Sequence, residues 1–360
     1  MSNQPPIEVP QGAIRLNTET QRLEFFAQDR WYVMATDVPT LNNNTLSDNL
    51  GGARGIIGSG LSIPGGSGAT NIDFITIPTQ GNATAFGSLS YGNAYRGGLA
   101  SKTRGIFING QNDQTTEFIT ISSTGTVTSF GEITNDNMGG ATFSNQVKGF
   151  RGGGNDAGTP SNQIKGFRAG GSDGGTHTNE IIAMTIATTS SFFDFGDLVE
   201  AATYMNGCGS STRGIIMGGV NPSADINTIQ FLSMGSNGNA QDFGDLSKTR
   251  KYISCLSNSV RAVAAGGGGG DSSTQNTMME FVTIATTGDA VDFGDCSDTN
   301  GTNGSGNCSS SIRGIFAGFY PSPYTIEYFT FPTQGNTVDF GDLNYHGYYN
   351  GSCSNGHGGL

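Results

Sequence analysis

The stretch Asp194-Phe195-Gly196-Asp197-Leu198 decides the fold, because the same five residues return at 242–246 and at 339–343. A near copy at 292–296 ends in Cys, and weaker copies, A-F-G-S-L and S-F-G-E-I, stand at 85–89 and 129–133. The central glycine therefore falls at positions 87, 131, 196, 244, 294 and 341, at intervals of 44, 65, 48, 50 and 47 residues. Apart from the long interval, this is the spacing of a four-stranded propeller blade, about 40–50 residues.

Each unit contains the same four short segments, which we name strands a to d. Strand a consists of small residues, strand b begins with Arg as in R-G-I-F, strand c resembles E-F-I-T-I, and strand d contains F-G-D. Strand c has adjacent apolar residues, as in Phe74 and Ile75, which predicts a sheet buried on both faces. The β-branched and Gly-rich content excludes helices. The pattern predicts an all-β protein built from stacked sheets.

The chain ends predict how the ring closes. The first unit begins with strand b at Arg54, and residues 351–356 look like a strand a with no strand b after them. We expect the C-terminal strand to join the first blade and remove two exposed edges. Residues 46–360 then form a six-bladed β-propeller. The long interval contains a duplication, at 145–151 and 162–168, interpreted as a hairpin inserted in the third blade. A seven-bladed propeller is the alternative.

Residues 1–45 have a different pattern and are predicted to form a β-hairpin attachment segment with a linker. Two strands surround a polar turn at 17–21, and the stretch D-R-W-Y-V at 29–33 follows. The apolar residues expected to make the attachment are Ile14, Leu16, Leu23, Phe25 and Trp31.

Composition excludes several classes of protein. Only 13% of the 360 residues are charged, the net charge is −12 and no cluster of Lys or Arg occurs, which argues against nucleic-acid binding. No apolar run approaches the ~20 residues of a membrane-spanning helix, so no membrane insertion is expected. The N-terminus has no secretory signal pattern, which predicts synthesis in a cytoplasm. The five Cys form no C-x-x-C pair and are interpreted as buried thiols.

Two resemblances suggest a biological setting. Strand b with its small-residue doublet resembles the kelch type of propeller, although the recurrent Tyr and Trp of that family are missing from the repeats. The pattern G-A-I-R-x-N-T-x-T-x-x-L-E-F…W at 12–31 resembles a module of phage tail and fibre proteins, and the repeats look like those of cyanophage structural proteins. The resemblance implies a virion protein that binds other virion proteins through residues 1–45 and forms a homo-oligomer. A tail-fibre, spike or baseplate protein that binds the host surface is the first hypothesis, and a head or tail decoration protein is the second.

The order of strands predicts a binding face. The a–b and c–d turns are tight, whereas the b–c and d–a segments vary and should collect at one end of the blades. This loop face is expected to bind a host glycan, a protein receptor or no ligand, because Tyr and amide side chains suit sugar rings and hydroxyls. The candidate ligand-binding residues are Tyr91, Tyr95, Asn112, Asn221, Asp225, Tyr320, Tyr324, Tyr345 and Tyr348.

Charged residues that recur once per blade are predicted to be structural. The Asp side chains are expected to cap turn amides or to bridge to an Arg of the next blade. The residues concerned are Arg54, Arg104, Arg213, Arg313, Asp197, Asp245, Asp295 and Asp342. The three His occur at no metal-binding spacing. We therefore expect no enzyme activity, cofactor or metal, and a polysaccharide-degrading enzyme is the least favoured hypothesis.

Overall fold

The fold was analysed in a computed structural model of the chain. The described residues are 14–17, 22–27, 30–33, 54–58, 60–62, 67–92, 97–100, 103–108, 115–125, 127–132, 141–144, 149–152, 165–173, 176–185, 193–269, 271–275, 277–297, 306–318, 324–345, 347 and 350–356. All the regular structure in these ranges is β-strand. Contacts divide the chain into residues 1–51 and residues 52–360, which we describe separately.

The first unit contains a three-stranded antiparallel sheet. Its strands are β1 (Ile14–Asn17), β2 (Arg22–Ala27) and β3 (Arg30–Val33), in the order β1-β2-β3. Ile14 lies opposite Phe25 and Leu16 lies opposite Leu23, which is the register of the predicted hairpin. The Phe26 and Trp31 rings meet edge to face, with centroids 5.3 Å apart.

Five four-stranded sheets and one three-stranded sheet account for most of the second unit. We number these sheets by their order along the chain. Sheet 1 contains β4 (Arg54–Gly58), β5 (Asn71–Thr76), β6 (Thr84–Ser88) and the C-terminal β30 (Gly351–Ser354). Sheet 2 contains β7 (Gly97–Ala100), β8 (Arg104–Ile108), β9 (Thr115–Thr120) and β10 (Thr128–Glu132). Sheet 3 contains β13 (Lys165–Asp173), β14 (Thr176–Thr185) and β15 (Phe193–Asp197).

The remaining sheets repeat the same strand order. Sheet 4 contains β16 (Asn206–Gly209), β17 (Arg213–Met217), β18 (Thr228–Ser233) and β19 (Gln241–Asp245). Sheet 5 contains β20 (Ser254–Ser257), β21 (Arg261–Ala265), β24 (Met278–Thr283) and β25 (Val291–Asp295), with a small ribbon of β22 (Gly268–Gly269) and β23 (Asp271–Gln275) between β21 and β24. Sheet 6 contains β26 (Gly306–Ser309), β27 (Arg313–Ala317), β28 (Thr325–Thr330) and β29 (Val338–Asp342).

Both ends of the second unit belong to sheet 1. The last strand, β30, pairs antiparallel with β4, so that Gly351 lies opposite Gly58 and Ser354 lies opposite Gly55. Strand β30 is therefore the strand a of a sheet whose other three strands lie about 260 to 300 residues earlier in the chain.

The duplication in the long interval gives a separate hairpin. Strands β11 (Ala141–Ser144) and β12 (Gly149–Gly152) pair only with each other among the described residues, and β13 pairs with β14. The hairpin was expected to belong to the third blade, but it forms its own two-stranded sheet. Each copy of K-G-F-R has its own antiparallel partner, so the two copies do not share a ladder.

Apolar side chains fill the spaces between neighbouring sheets. Five buried clusters join sheet 3 to sheet 4, sheet 4 to sheet 5, sheet 5 to sheet 6, sheet 6 to sheet 1, and sheet 1 to sheet 2. The strands a of sheets 4, 5, 6, 1 and 2 lie side by side in this order. The β-branched and aromatic residues of strands b and c make this packing possible, because each sheet presents an apolar surface on both faces.

Candidate functional site

The arginine that begins strand b contacts its own sheet and the next sheet. In sheet 4, the Arg213 guanidinium lies 4.6 Å from the ring centroid of Phe231, and its Nη1 donates to the carbonyl of Ile284 at 3.0 Å. Equivalent pairs of contacts are made by Arg54, Arg261 and Arg313. Arg104 lies over Phe118 in the same way. The acceptor in the next sheet is a carbonyl and not the expected carboxylate, and the contacts favour the structural role that was predicted.

In sheets 3 to 6, the F-G-D segment is hydrogen-bonded to the c–d turn of the sheet that follows, and sheet 1 follows sheet 6. The backbone N–H of Asp295 donates to Asn336 Oδ1 at 3.1 Å, and the carbonyl of Asp295 accepts from the N–H of Thr337 at 2.8 Å. The same backbone N–H donation occurs at Asp197, Asp245 and Asp342. These Asp residues were expected to cap turn amides with their side chains. The observed direction is the reverse, because here a turn side chain accepts from the backbone of the Asp.

A row of buried polar side chains, one in strand c of each of five sheets, forms a second link between sheets. This link was not predicted from the sequence. In sheet 5, Glu280 is 2% exposed and its Oε1 accepts from the N–H of Ser247 at 3.0 Å, in the segment that follows strand d of sheet 4. The equivalent acceptors are Asp73, Glu117, Gln230 and Glu327. The signal was available, since the third residue of strand c is acidic in four of these five sheets.

Burial raises the pKa of one of these carboxylates. Desolvation raises the pKa of Asp73 above its ordinary value, and the hydrogen bonds that Asp73 accepts from Asn344 oppose this effect. Glu280 instead forms an ion pair with Arg250, which is fully buried. Arg250 Nη1 also donates to the carbonyls of Gly266 and Met278, both at 3.0 Å. Arg250, which follows strand d of sheet 4, therefore connects sheet 4 to sheet 5.

In sheets 1, 4 and 5, the described parts of the b–c segments contact the neighbouring d–a segments at one end of the sheets. The N–H of Gly219, after strand b of sheet 4, donates to the carbonyl of Arg250 at 2.7 Å, and Lys251 and Gly268 exchange two backbone hydrogen bonds. At the ends of the chain, the N–H of Gly60 donates to Asn350 Oδ1 at 2.9 Å. These bonds bring the variable segments together in the loop face that the strand order predicted.

Two of the candidate ligand-binding residues are engaged within the loop face. Asn221 Oδ1 accepts from the N–H groups of Ser223 and Ala224, and its Nδ2 donates to Glu200 at 2.9 Å. Asp225 forms an ion pair with Lys251, in which Oδ1 and Nζ lie 3.1 Å apart. Their polar atoms hold the loops in place, which favours a supporting role at the face.

The candidate tyrosines have different surroundings. Tyr91 is 57% exposed and Tyr324 is 39% exposed, whereas Tyr345 is buried in the cluster between sheets 6 and 1. Tyr345 is therefore packed in the core and is not presented at the loop face. The remaining candidates lie outside the described residues: Tyr95, Asn112, Tyr320 and Tyr348.

Sequence reasoning missed a pair of tyrosines on the loop face. The rings of Tyr204 and Tyr252 lie with centroids 4.6 Å apart and planes inclined by 52°. The N–H of Tyr252 donates to the carbonyl of Tyr204 at 3.2 Å. Each residue stands two positions before a strand a, an offset that Tyr95 and Tyr349 share in the sequence. That common offset was the signal that could have identified the pair.

The five cysteines are free thiols. Desolvation raises the pKa of Cys308 to about 12. Among the described residues, no group of His, Cys, Asp and Glu is arranged to hold a metal ion. No helix of bilayer-spanning length and apolarity occurs in the described ranges. No family model matches the chain, and no curated protein matches it significantly.

Proposed function

We propose that the second unit is a closed six-bladed β-propeller. The packing order of the six sheets, with both chain ends in sheet 1, supports this architecture. Sheets 2 and 3 are the pair that must complete the ring, and β11 lies near both β7 of sheet 2 and β13 of sheet 3. In this proposal the β11–β12 hairpin is an insertion at that junction. Counting it as an incomplete blade gives the seven-bladed alternative.

We propose that the chain is a phage virion structural protein that displays this propeller for binding to a host surface or to another protein. The observation that carries the proposal is the division of the chain into a small β-meander and a propeller-like unit with its own core. The meander contains the residues whose pattern resembles the phage tail and fibre module. Repeated hydrogen bonds between sheets supply a rigid scaffold, and the variable loops gather at one face.

A role in head or tail decoration is the second candidate. The specific observation in its favour is that Asn221 and Asp225 bind neighbouring loop residues. A face held together in this way can serve packing against other virion proteins without binding a host molecule. In both candidates the first unit attaches the chain to the particle.

The proposal is tested by locating the full chain in phage particles purified from the host that produces it. Gold-labelled antibodies against the chain should decorate the tail tip or baseplate for a host-binding protein, and the head or neck for a decoration protein. Trp31→Ala should lower incorporation into particles, whereas Tyr91→Ala, a change at an exposed residue of the other unit, should not. Absence of the chain from density-purified particles would contradict the virion proposal.

A further inference from the structure

Tyr204 and Tyr252 have an unusual backbone conformation. Their φ angles are 55° and 56°, and among the described residues they are the two non-glycine residues with positive φ. In this left-handed region the Cβ of an L-residue lies too close to the following carbonyl oxygen, and bulky side chains rarely occupy it. Elsewhere on the same face the chain uses glycine for this conformation, for example Gly218 with φ 59°. Tyrosine therefore occupies two positions at which glycine or asparagine would have a lower conformational energy.

The strained conformation places both rings at one location. Tyr204 precedes β16 and Tyr252 precedes β20, and these strands a of sheets 4 and 5 lie side by side. The two tyrosines thus come from equivalent segments of adjacent sheets. Tyr252 is 41% exposed and Tyr204 is partly exposed, although both rings are large apolar surfaces. Strained residues that expose aromatic rings are typical of ligand-binding positions.

Charged side chains in the adjoining segments are paired or hydrogen-bonded. Lys251, the residue before Tyr252, pairs with Asp225, and Glu200 accepts hydrogen bonds from Asn221 and Thr228, each at 2.9 Å. These carboxylates and this ammonium group already have partners, so neither an anion nor a cation is favoured as a ligand. A neutral ligand with an apolar face and several hydroxyl groups suits both the rings and these surroundings.

We infer that Tyr204 and Tyr252 form a stacking platform for the apolar face of a neutral hexose ring in a polysaccharide. This inference deepens the host-surface form of the proposed function and rests on it for its biological meaning. The tilt of 52° between the rings allows one sugar to lie against one ring while the edge of the same sugar or the next one meets the other.

Binding is measured by saturation-transfer NMR on the full-length chain, with cellohexaose, maltohexaose and mannohexaose as probes. We expect at least one hexasaccharide to bind, and Tyr204→Asn/Tyr252→Asn to raise its Kd by about tenfold or more through loss of two stacking rings. Asn is chosen because it tolerates the left-handed conformation. The matched control is Phe130→Asn, which removes an exposed aromatic ring of strand β10, outside the loop face, at a residue whose φ is not positive.

Thermal unfolding separates a binding role from a packing role. If the tyrosines are kept for binding, the double variant loses the sugar while its Tm stays equal to or above that of the wild type, because the strain is relieved. The inference is overturned if no hexasaccharide binds the wild type, if only tetramethylammonium or hexagalacturonate binds, if the double variant keeps the wild-type Kd, or if it binds weakly only because its Tm has fallen.

The two proposals fail in different ways. A chain that is present in phage particles but binds no neutral hexasaccharide refutes the stacking platform and leaves the virion proposal intact. A chain that binds the sugar through these tyrosines but is absent from particles refutes the virion proposal and leaves the platform intact.

Discussion

Gly294→Ala is expected to disrupt the contact between sheets 5 and 6, whereas Gly335→Ala on the other side of that contact should not. Both glycines have a positive φ, 141° and 147°, so each substitution carries a similar backbone cost of about 1–3 kcal/mol. A Cβ added at Gly294 would lie 2.4 Å from the carbonyl carbon and oxygen of Gly335. A Cβ added at Gly335 would meet nothing within 4 Å. The pair therefore isolates the steric effect from the backbone effect.

The difference in destabilisation between the two variants follows from the contacts that a Cβ at Gly294 would displace. The Gly335 N–H donates to the carbonyl of Phe293 at 2.7 Å, and the Thr337 N–H donates to that of Asp295 at 2.8 Å. Losing both bonds costs about 1–3 kcal/mol, and the overpacking adds about 1–3 kcal/mol. Gly294→Ala should thus be more destabilising than Gly335→Ala by about 2–6 kcal/mol.

Equilibrium urea unfolding of the full chain, followed by far-UV circular dichroism, measures this difference. The comparison is valid when the three proteins have the same m-value, since the free energies then differ through the midpoint alone. Equal destabilisation by the two substitutions would refute the proposed steric contact between the F-G-D strand and the next c–d turn.

Three further predictions follow from the contacts between sheets and from burial. Arg213→Ala should lower the free energy of unfolding by about 2–4 kcal/mol, through loss of a charged hydrogen bond and a cation–π contact, while Lys248→Ala at an exposed site should have no measurable effect in the same urea assay. Asp73 has a raised pKa in the folded state, so folding favours its protonated form. The free energy of unfolding of the wild type, relative to that of Asp73→Asn, should therefore rise as the pH falls from 7 to 4. If this difference in free energy stays constant or falls over that range, the burial effect is contradicted. Cys308 and Cys353 are buried thiols whose pKa desolvation raises, so iodoacetamide at pH 8 should modify them in unfolding concentrations of urea but not in the native protein, as mass spectrometry of the peptides would show.

Much of the fold could be predicted from the sequence because its determinants are local. The apolar residues of strand c and the recurring F-G-D segment specify short strands buried on two faces, wherever those strands end up. The loop face follows from strand order alone, because antiparallel neighbours alternate their ends. The duplication at 145–151 and 162–168 was the exception, because the sequence of two equal copies of K-G-F-R does not indicate which neighbouring strand each copy pairs with.

The candidate site was less predictable because its contacts join residues far apart in the chain. Asp73 accepts a hydrogen bond from Asn344, 271 residues away, and Arg313 donates to the carbonyl of Ile77, 236 residues away. The repeats made Arg and Asp conspicuous, but their partners turned out to be carbonyls and turn side chains. Tyr345 looked like a ligand-binding residue and is buried, whereas Tyr204 and Tyr252 were overlooked.

By itself the sequence determined the strands, their order within a repeat and the end of the sheets at which the variable segments gather. These properties depend on the alternation of side chains along a strand and on turn chemistry, which act over a few residues. Only the tertiary structure decided which carboxylates are desolvated, which carbonyl each strand-b arginine reaches, and which two aromatic rings meet. Those properties depend on which sheets become neighbours, and burial and ring contacts exist only once two surfaces, distant along the chain, have been packed together.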